Sequence, residues 1–153
     1  MKTNTITTLK HFNDLTKEQL YKILSERVAV FVVEQEYPYP EIDGLDPFYY
    51  HLIQENDKDI MAYLRIIPSN DKKEFASLGR VLVKKDYRGH GLATELVQRG
   101  INYCLNELGE KQIKIQAQSY LKDFYSSLGF STMSEEYLED NIPHIDMILT
   151  TEK

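Results

Sequence analysis

The order of hydrophobic and polar residues predicts a chain that mixes strands with amphipathic helices. Residues 5–10 alternate weakly, which is typical of a strand. Thr16 and Gln19 have the spacing of a capping box, and a helix is expected to follow over residues 17–35. Its apolar positions recur every three to four residues: Leu20, Ile23, Leu24, Val28, Phe31 and Val32. Three prolines and clustered acids then predict an ordered surface loop.

The same periodicities continue to the end of the chain. Two apolar runs around the polar letters ENDKD predict an antiparallel hairpin, and a polar loop and a central strand follow. A helix with a long apolar stripe is expected from near Leu92, and a shorter one is expected between an N-cap at Ser119 and a C-terminal Gly129. The predicted strands lie at residues 49–54, 60–67, 78–83, 113–118, 130–138 and 144–149.

Two side chains stand out within these elements. Arg65 interrupts an apolar strand, and two interpretations remain open. It snorkels from an edge or pairs with an acid of a loop, or else it serves a polar cleft. Cys104 falls beside the apolar stripe of the long helix, which indicates a thiol in the core.

The turn between the central strand and the long helix is basic and rich in glycine. Gly89 and Gly91 allow close approach of the backbone to a ligand, and Lys84, Lys85 and Arg88 add positive charge. A helix that opens directly after such a turn is typical of an anion site, so a phosphate-bearing ligand is the first hypothesis. A dinucleotide fingerprint would need a third glycine where Thr94 stands, and no Walker loop is present.

Composition narrows the function classes. The chain has 153 residues, with 18 Lys and Arg against 24 Asp and Glu, and a net charge of -6, which argues against extended nucleic-acid binding. One cysteine gives neither a disulfide framework nor the spacing of a metal site. The letters EIDGLD lack the ligand spacing of a calcium loop. Because no apolar run suits a signal peptide or a membrane span, we expect a cytoplasmic protein with no membrane partner.

Two motifs carry a resemblance to a known family. Arg88, Gly91 and Ala93 match the acyl-CoA signature [Q/R]-x-x-G-x-[G/A] of the GNAT superfamily of N-acyltransferases, and Val83 and Tyr87 precede it at the family's spacing. Further along, F-Y-x-x-x-G-F begins at Phe124. The chain resembles the ElaA-type subfamily in FVVEQ at 31–35, EIDGLD at 41–46, AQSYLKDFY at 117–125 and EEYLEDNIPHIDM at 135–147. It departs from many members at Gln118, where they carry asparagine.

The resemblance implies a single GNAT domain over residues 1–153 and an α+β (mixed α/β) fold. Its central, mostly antiparallel sheet would have six to seven strands, splayed between the fourth and fifth, with about four helices around it. It also implies acetyl-CoA as cosubstrate and no metal. Backbone groups of Val81 and Val83 would pair with pantetheine, and an N–H in this strand, which includes Leu82, would polarise the thioester carbonyl. Pyrophosphate would bind the N–H groups of Arg88, Gly89, His90, Gly91, Leu92, Ala93 and Thr94.

The implied reaction is direct attack of a primary amine, on a small molecule or a peptide, on the thioester. Tyr125 holds the family position of the general acid that protonates the thiolate, although packing of an aromatic residue on the sheet is the alternative. The candidates for the proton acceptor are Glu34, His51 and His144, together with Asp43 or Glu139 acting through water.

The acids of residues 41–46 and 135–140 would form either an acceptor pocket or a solvated face. The rival function is an acyl-CoA sensor or regulatory module without turnover. A homodimer is possible.

Overall fold

The structure is a computed structural model that describes residues 5–151, and it divides into two compact units. The first unit comprises Met1–Ile66 and Arg80–Val97, and the second comprises Ile67–Gly79 and Gln98–Lys153. The single domain expected from the sequence stays a prediction.

The strands form two antiparallel sheets of four strands each. The first sheet has the order β1-β2-β3-β4, and in the second β5, β8 and β6 lie in that order while β7 also pairs with β8. Their bounds are β1 Ile6–His11, β2 Tyr50–Glu55, β3 Ile60–Ile67, β4 Ser77–Val83, β5 Gln112–Gln118, β6 Ser131–Thr132, β7 Tyr137–Glu139 and β8 Ile142–Thr150. Ala76 and Ile113, both in the second unit, form a parallel bridge. The α+β class is therefore confirmed.

The helices are α1 (Lys17–Val28), α2 (Leu92–Asn102) and α3 (Lys122–Ser127). Residues 5–151 thus hold three α-helices where about four were predicted. Both long helices end in a π-helical segment, Ala29–Glu34 after α1 and Tyr103–Glu107 after α2. The capping box is confirmed, because the Thr16 hydroxyl accepts from the Gln19 N–H at 3.0 Å and the Gln19 side chain accepts from the Thr16 N–H at 3.0 Å.

Two local predictions were wrong. The strand expected over residues 130–138 is split into β6 and β7, so that the described chain has eight strands rather than six or seven. Ser119 does not cap α3, because a short 3₁₀ turn precedes that helix and Leu121 takes the N-cap position without a side-chain hydrogen bond. The hydroxyl of Ser119 is buried and has no partner among the residues described.

Each unit has its own apolar core. In the first unit the core cluster consists of Ile23, Val30, Ile53, Ile60, Tyr63 and Leu82. In the second unit the fully or almost fully buried residues include Cys104, Ile113, Ile115 and Met147. The core position predicted for Cys104 is confirmed, and burial raises the pKa of its thiol to about 12. Within residues 5–151, no helix combines the length and the apolar character that crossing a bilayer requires.

Candidate functional site

The first half of the glycine-rich turn is anchored to the β2–β3 connection. The Tyr87 hydroxyl donates to the Asp59 carboxylate at 2.7 Å and accepts from the Asn56 amide at 2.9 Å. Lys84 reaches the other Asp59 oxygen at 2.9 Å. Tyr87 therefore has a structural role in the motif, since it fixes where the turn leaves β4.

The second half of the turn is open. Gly89 and Gly91 have φ angles of +85° and +78°, and a Cβ on either would meet no atom within 4 Å. Glycine is required here by the backbone conformation, not by crowding from the protein. Because the space above both residues is free, a ligand can approach this backbone directly.

Helix α2 begins at Leu92, where the turn ends. The hydrogen bond from the Glu95 N–H to the Gly91 carbonyl is 3.2 Å long and belongs to the first helical turn. The N–H groups of Leu92, Ala93 and Thr94 therefore have no partner within the helix. Such groups, together with the positive end of the helix dipole, favour an anion.

Strand β4 is at one end of the first sheet, and among residues 5–151 no further strand of that sheet pairs with its outer edge. The Lys84 N–H donates to the Met61 carbonyl of β3 at 2.8 Å, which fixes the direction of that group. Since backbone groups alternate along a strand, those of Val83 and Val81 point away from β3. The carbonyl of Val83 accepts from Arg88 Nε at 2.8 Å.

Glu34, a candidate base, is paired with the arginine of the signature motif. It ends the π-helical segment after α1, and both of its oxygens accept from the Arg88 guanidinium, one of them at 2.8 Å from Nη2. The hydrogen bond from Arg88 lowers the pKa of Glu34. A carboxylate held ionised in this way is a weak base, and we assign Glu34 to the positioning of Arg88.

The EIDGLD loop, residues 41–46, is built around a buried arginine. Arg27 is 0% exposed and donates to Glu41 at 2.7 Å and to Asp46 at 2.6 Å. It also donates to the Glu41 carbonyl at 3.3 Å. Arg27 lies in the apolar stripe of α1, four residues after Ile23 and three before Val30. An arginine at that position is the signal by which the sequence could have revealed this role.

Two further arginines complete the pairing of the loop acids. Arg65 donates to both oxygens of Asp43, at 3.1 and 2.9 Å, and to Asp46 at 3.0 Å. Arg80 donates to Glu41 at 2.7 Å. Of the two interpretations of Arg65, the structure therefore favours pairing with loop acids. We refer to Arg27, Arg65, Arg80, Glu41, Asp43 and Asp46 as the loop cluster.

The loop cluster excludes two expectations for this loop. The carboxylates of Glu41 and Asp46 are neither a solvated face nor free to attract a cationic amine, because they are 3% and 4% exposed and paired with arginines. Asp43 is a weak base, since hydrogen bonds from Arg65 and the Leu45 N–H outweigh burial and lower its pKa to about 2.

His51 also has a structural position. It is 0% exposed in β2, and its ring nitrogens lie 2.6 Å from the Tyr63 hydroxyl and 3.1 Å from the Asp46 carbonyl. Burial lowers its pKa. With both nitrogens engaged inside the core, His51 is not favoured as the base that meets an amine.

The second family motif forms the end of α3 in the second unit. The Phe130 N–H donates to the Tyr125 carbonyl and the Gly129 N–H to the Ser126 carbonyl, both at 3.2 Å, and Gly129 has a φ of +106°. These are the two bonds of a Schellman motif. The rings of Tyr125 and Phe130 also meet edge to face at 5.9 Å. The motif therefore fixes the position of Tyr125.

The hydroxyl of Tyr125 has a distinct environment. The residue is 7% exposed, and its hydroxyl makes no hydrogen bond to any other residue in the range 5–151. Burial raises its pKa to about 12, with a smaller contribution from Tyr120. The hydroxyl is therefore fully protonated at neutral pH.

His144 has a fixed tautomer. It is half-buried in β8, and its Nδ1 lies 2.7 Å from the Ile142 carbonyl, which can only accept. Nδ1 is therefore the donor of this bond, and in the neutral ring Nε2 is the nitrogen that can accept a proton. Its ring stacks on Tyr137 at 6.2 Å, which holds its orientation. Of the described residues, no group of three or more His, Cys, Asp or Glu could hold a metal ion.

Comparison with known proteins decides the family. The acetyltransferase (GNAT) domain family matches residues 12–151, which extend over both units. The chain belongs to the GNAT acetyltransferase family.

Relatives place it among the ElaA-type members of that family. It is 39% identical over 139 residues to protein ElaA of Escherichia coli, covering 90% of this chain and 91% of that protein. The crystal structure of E. coli ElaA matches with a TM-score of 0.89 and 36% identity, over 95% of this chain and 99% of that one. An acyl-CoA N-acyltransferase from Pseudomonas aeruginosa matches with a TM-score of 0.91 and 37% identity, over 96% and 100% of the two chains. The GNAT fold is thereby confirmed.

Proposed function

We propose that this GNAT protein transfers an acetyl group from acetyl-CoA to a primary amine. The observation that supports the proposal most is the open turn of Gly89 and Gly91. It joins β4, the end strand of its sheet among the described residues, to the first N–H groups of α2, which have no helical partners. Backbone donors suit a pyrophosphate because they are in place before the ligand arrives.

The residues of the first unit fit acyl-CoA. The N–H groups of residues 88–94 would hold the pyrophosphate, and the outward backbone groups of Val81 and Val83 would pair with pantetheine amides. An N–H of this strand, which includes Leu82, would polarise the thioester carbonyl. Acetyl-CoA supplies an activated acetyl group. The C–N bond forms as the C–S bond breaks, the amine loses a proton and the thiolate gains one.

Tyr125 is proposed as the donor to the departing thiolate. Its hydroxyl is protonated and forms no hydrogen bond with the residues described, so it is available to a ligand. Its pKa of about 12 lies above that of a thiol, which is about 8.5, so complete proton transfer would be uphill in the free enzyme. We therefore expect Tyr125 to stabilise the thiolate by a hydrogen bond before the proton moves.

His144 is proposed as the acceptor of the amine proton. Its Nδ1 bond to the Ile142 carbonyl leaves Nε2 as the basic nitrogen, which is the form that a general base needs. Glu139 of β7, which is exposed, remains a candidate acting through water. The cytoplasmic location and a possible homodimer likewise stay predictions.

The experiment is a turnover assay that follows release of free thiol. The protein is incubated with acetyl-CoA and, in separate reactions, polyamines, aminoglycosides, amino acids and lysine peptides. We expect amine-dependent thiol release with at least one class. Tight binding of acetyl-CoA without thiol release from any amine would support a sensor and contradict the proposal.

Two variants test the assigned roles once an acceptor is found. Tyr125→Phe keeps the aromatic packing and removes the hydroxyl, and we expect kcat to fall roughly 10²-fold. His144→Asn keeps a donor for the Ile142 carbonyl and removes the base, so kcat should fall roughly 10²-fold and its dependence on pH should change. Full kcat across the pH range in either variant would refute that residue's role.

A further inference from the structure

Arg80 has an unusual backbone conformation in the middle of β4. Its φ is +53°, a left-handed value, although the residue is not glycine and lies within Ser77–Val83. An L-residue occupies this conformation roughly ten-fold less readily than the right-handed one, so something must hold it there. A left-handed residue within a strand changes the direction of the backbone groups beside it.

The side chain of Arg80 supplies that hold. Its Nε donates to Glu41 Oε2 at 2.7 Å, and its Nη2 donates to the Glu41 carbonyl at 3.2 Å and to Asp43 at 3.5 Å. The guanidinium thus binds both the side-chain carboxylate and the backbone carbonyl of Glu41. Such charge-assisted, two-point bonding restricts the rotation of the side chain and of the backbone that carries it.

Glu41 is itself fixed. The same oxygen, Oε2, also accepts from Arg27 Nε at 2.7 Å, and the Tyr39 hydroxyl donates to Oε1. Arg27 is 0% exposed and Glu41 3% exposed. Arg80 therefore binds a carboxylate whose position is fixed by other residues, so a change in the conformation of β4 at Arg80 would break the ion pair.

We propose that the Arg80–Glu41 ion pair holds Arg80 in the left-handed conformation. This conformation in turn directs the backbone groups of Val81 and Val83 outward from the edge of β4. Arg80 and Glu41 are positioning residues. The EIDGLD loop thus helps to position the edge of β4 that would bind acyl-CoA, and it does not bind the amine. This inference rests on the proposed function, because it assigns those backbone groups to acyl-CoA. Residues Arg80, Glu41 and Arg27 all belong to the first unit.

The test compares substitutions that differ in their tolerance of a positive φ. Arg80→Gly removes the ion pair but adopts the conformation freely, Arg80→Asn adopts it with moderate ease, and Arg80→Ala adopts it poorly. Amide resonances of residues 81–83 are recorded by NMR without ligand, and acetyl-CoA affinity is measured by calorimetry. The resonances of residues 82 and 83 should stay close to wild type in the glycine variant, which should bind within about three-fold of wild type. In the alanine variant these resonances should shift further, and binding should be about ten-fold weaker.

Two control variants separate this effect from general loss of stability. Asn141, with a φ of +63°, lies in the β7–β8 turn, so Asn141→Gly and Asn141→Ala repeat the comparison elsewhere. Neither should alter the resonances of residues 81–83 or the affinity. If the alanine variant does not fold, the comparison of Arg80→Gly with Arg80→Asn decides, since glycine should again be closer to wild type.

Equal behaviour of the glycine, asparagine and alanine variants would overturn the inference, whether all resemble wild type or all are equally impaired. If wild-type protein binds no acetyl-CoA, the proposed function fails, but the NMR order of the variants still tests whether the left-handed conformation at residue 80 sets the direction of the strand. If wild-type protein binds acetyl-CoA but the glycine, asparagine and alanine variants do not differ in the expected order, only this inference fails.

Discussion

The glycine-rich turn and the EIDGLD loop both concentrate charge within the first unit, but only the turn leaves backbone open to a ligand. In the turn, Gly89 and Gly91 leave open space, and the helix N–H groups after them lack helical partners. In the loop, each of the three carboxylates is paired with at least one arginine. Because Lys84 and Arg88 of the turn are also paired, with Asp59 and Glu34, it is the open backbone and not unmatched side-chain charge that indicates a ligand site. The loop serves the architecture around the turn.

The largest expected effect is on the free energy of unfolding when the buried arginine of the loop cluster is replaced. Arg27→Met should lower the free energy of unfolding by about 3–5 kcal/mol, because Glu41 and Asp46 would stay buried without their shared partner. Urea denaturation at pH 7 measures the change. Lys85→Met, at an exposed residue, is the control and should alter stability by less than about 0.5 kcal/mol. Equal values for both variants would show that the loop cluster does not hold the loop.

Acid should weaken the loop at a defined pH. The folded-state pKa of Asp43 is about 2, below its ordinary value of 3.8. Its stabilising contribution is therefore complete above about pH 4 and is lost as the pH falls toward 2, by roughly 1–2 kcal/mol. The measurement is the unfolding free energy against pH for wild type and Asp43→Asn. A difference between the two proteins that does not change between pH 2 and 5 would contradict the pairing with Arg65.

Removing Arg88 from the turn should affect acetyl-CoA binding more than stability. Arg88→Met breaks an exposed ion pair with Glu34, so stability should fall by less than about 1 kcal/mol. The affinity for acetyl-CoA should fall about ten-fold, because the charged hydrogen bond to the Val83 carbonyl and a positive charge are lost. Denaturation and calorimetry on one preparation test both. A large loss of stability with intact binding would remove the distinction between turn and loop.

Salt should give the smallest effect. Raising ionic strength from about 0.05 to about 0.5 M should weaken acetyl-CoA binding about three- to five-fold, because the turn is exposed and its charges are screened. The buried ion pairs of Arg27 with Glu41 and Asp46 are screened much less, so we expect the unfolding free energy to change by under about 0.5 kcal/mol. Binding that is independent of salt would argue against phosphate contacts at the turn.

Local pattern was enough to predict the parts of the fold that depend on neighbours in sequence. The capping box of Thr16 and Gln19, the β2–β3 hairpin and the glycine end of α3 each follow from residues a few positions apart. The glycine turn could be predicted for the same reason, since Gly89 and Gly91 signal a positive φ.

The position of Arg27 in an apolar stripe signals a buried arginine, but the partners within the loop cluster could not be predicted, because they come from distant parts of the chain. Glu41 lies 14 residues from Arg27 and 39 from Arg80, and no local spacing connects them. The positive φ of Arg80 is likewise imposed by that ion pair and has no signal in its own residue type. The sequence therefore leaves an acceptor pocket open as one interpretation of the acids at 41–46, whereas the structure pairs them with arginines.

The most direct test of the central claim is a calorimetric titration of acetyl-CoA into wild type, Gly91→Val and Gly109→Val. Gly109 has a φ of +69°, and a Cβ at this position, as at Gly91, would meet no atom within 4 Å, so both substitutions strain the backbone alike. We predict that Gly91→Val loses measurable binding while Gly109→Val binds within about three-fold of wild type. Equal affinity of wild type and Gly91→Val would contradict the assignment of the turn to acyl-CoA.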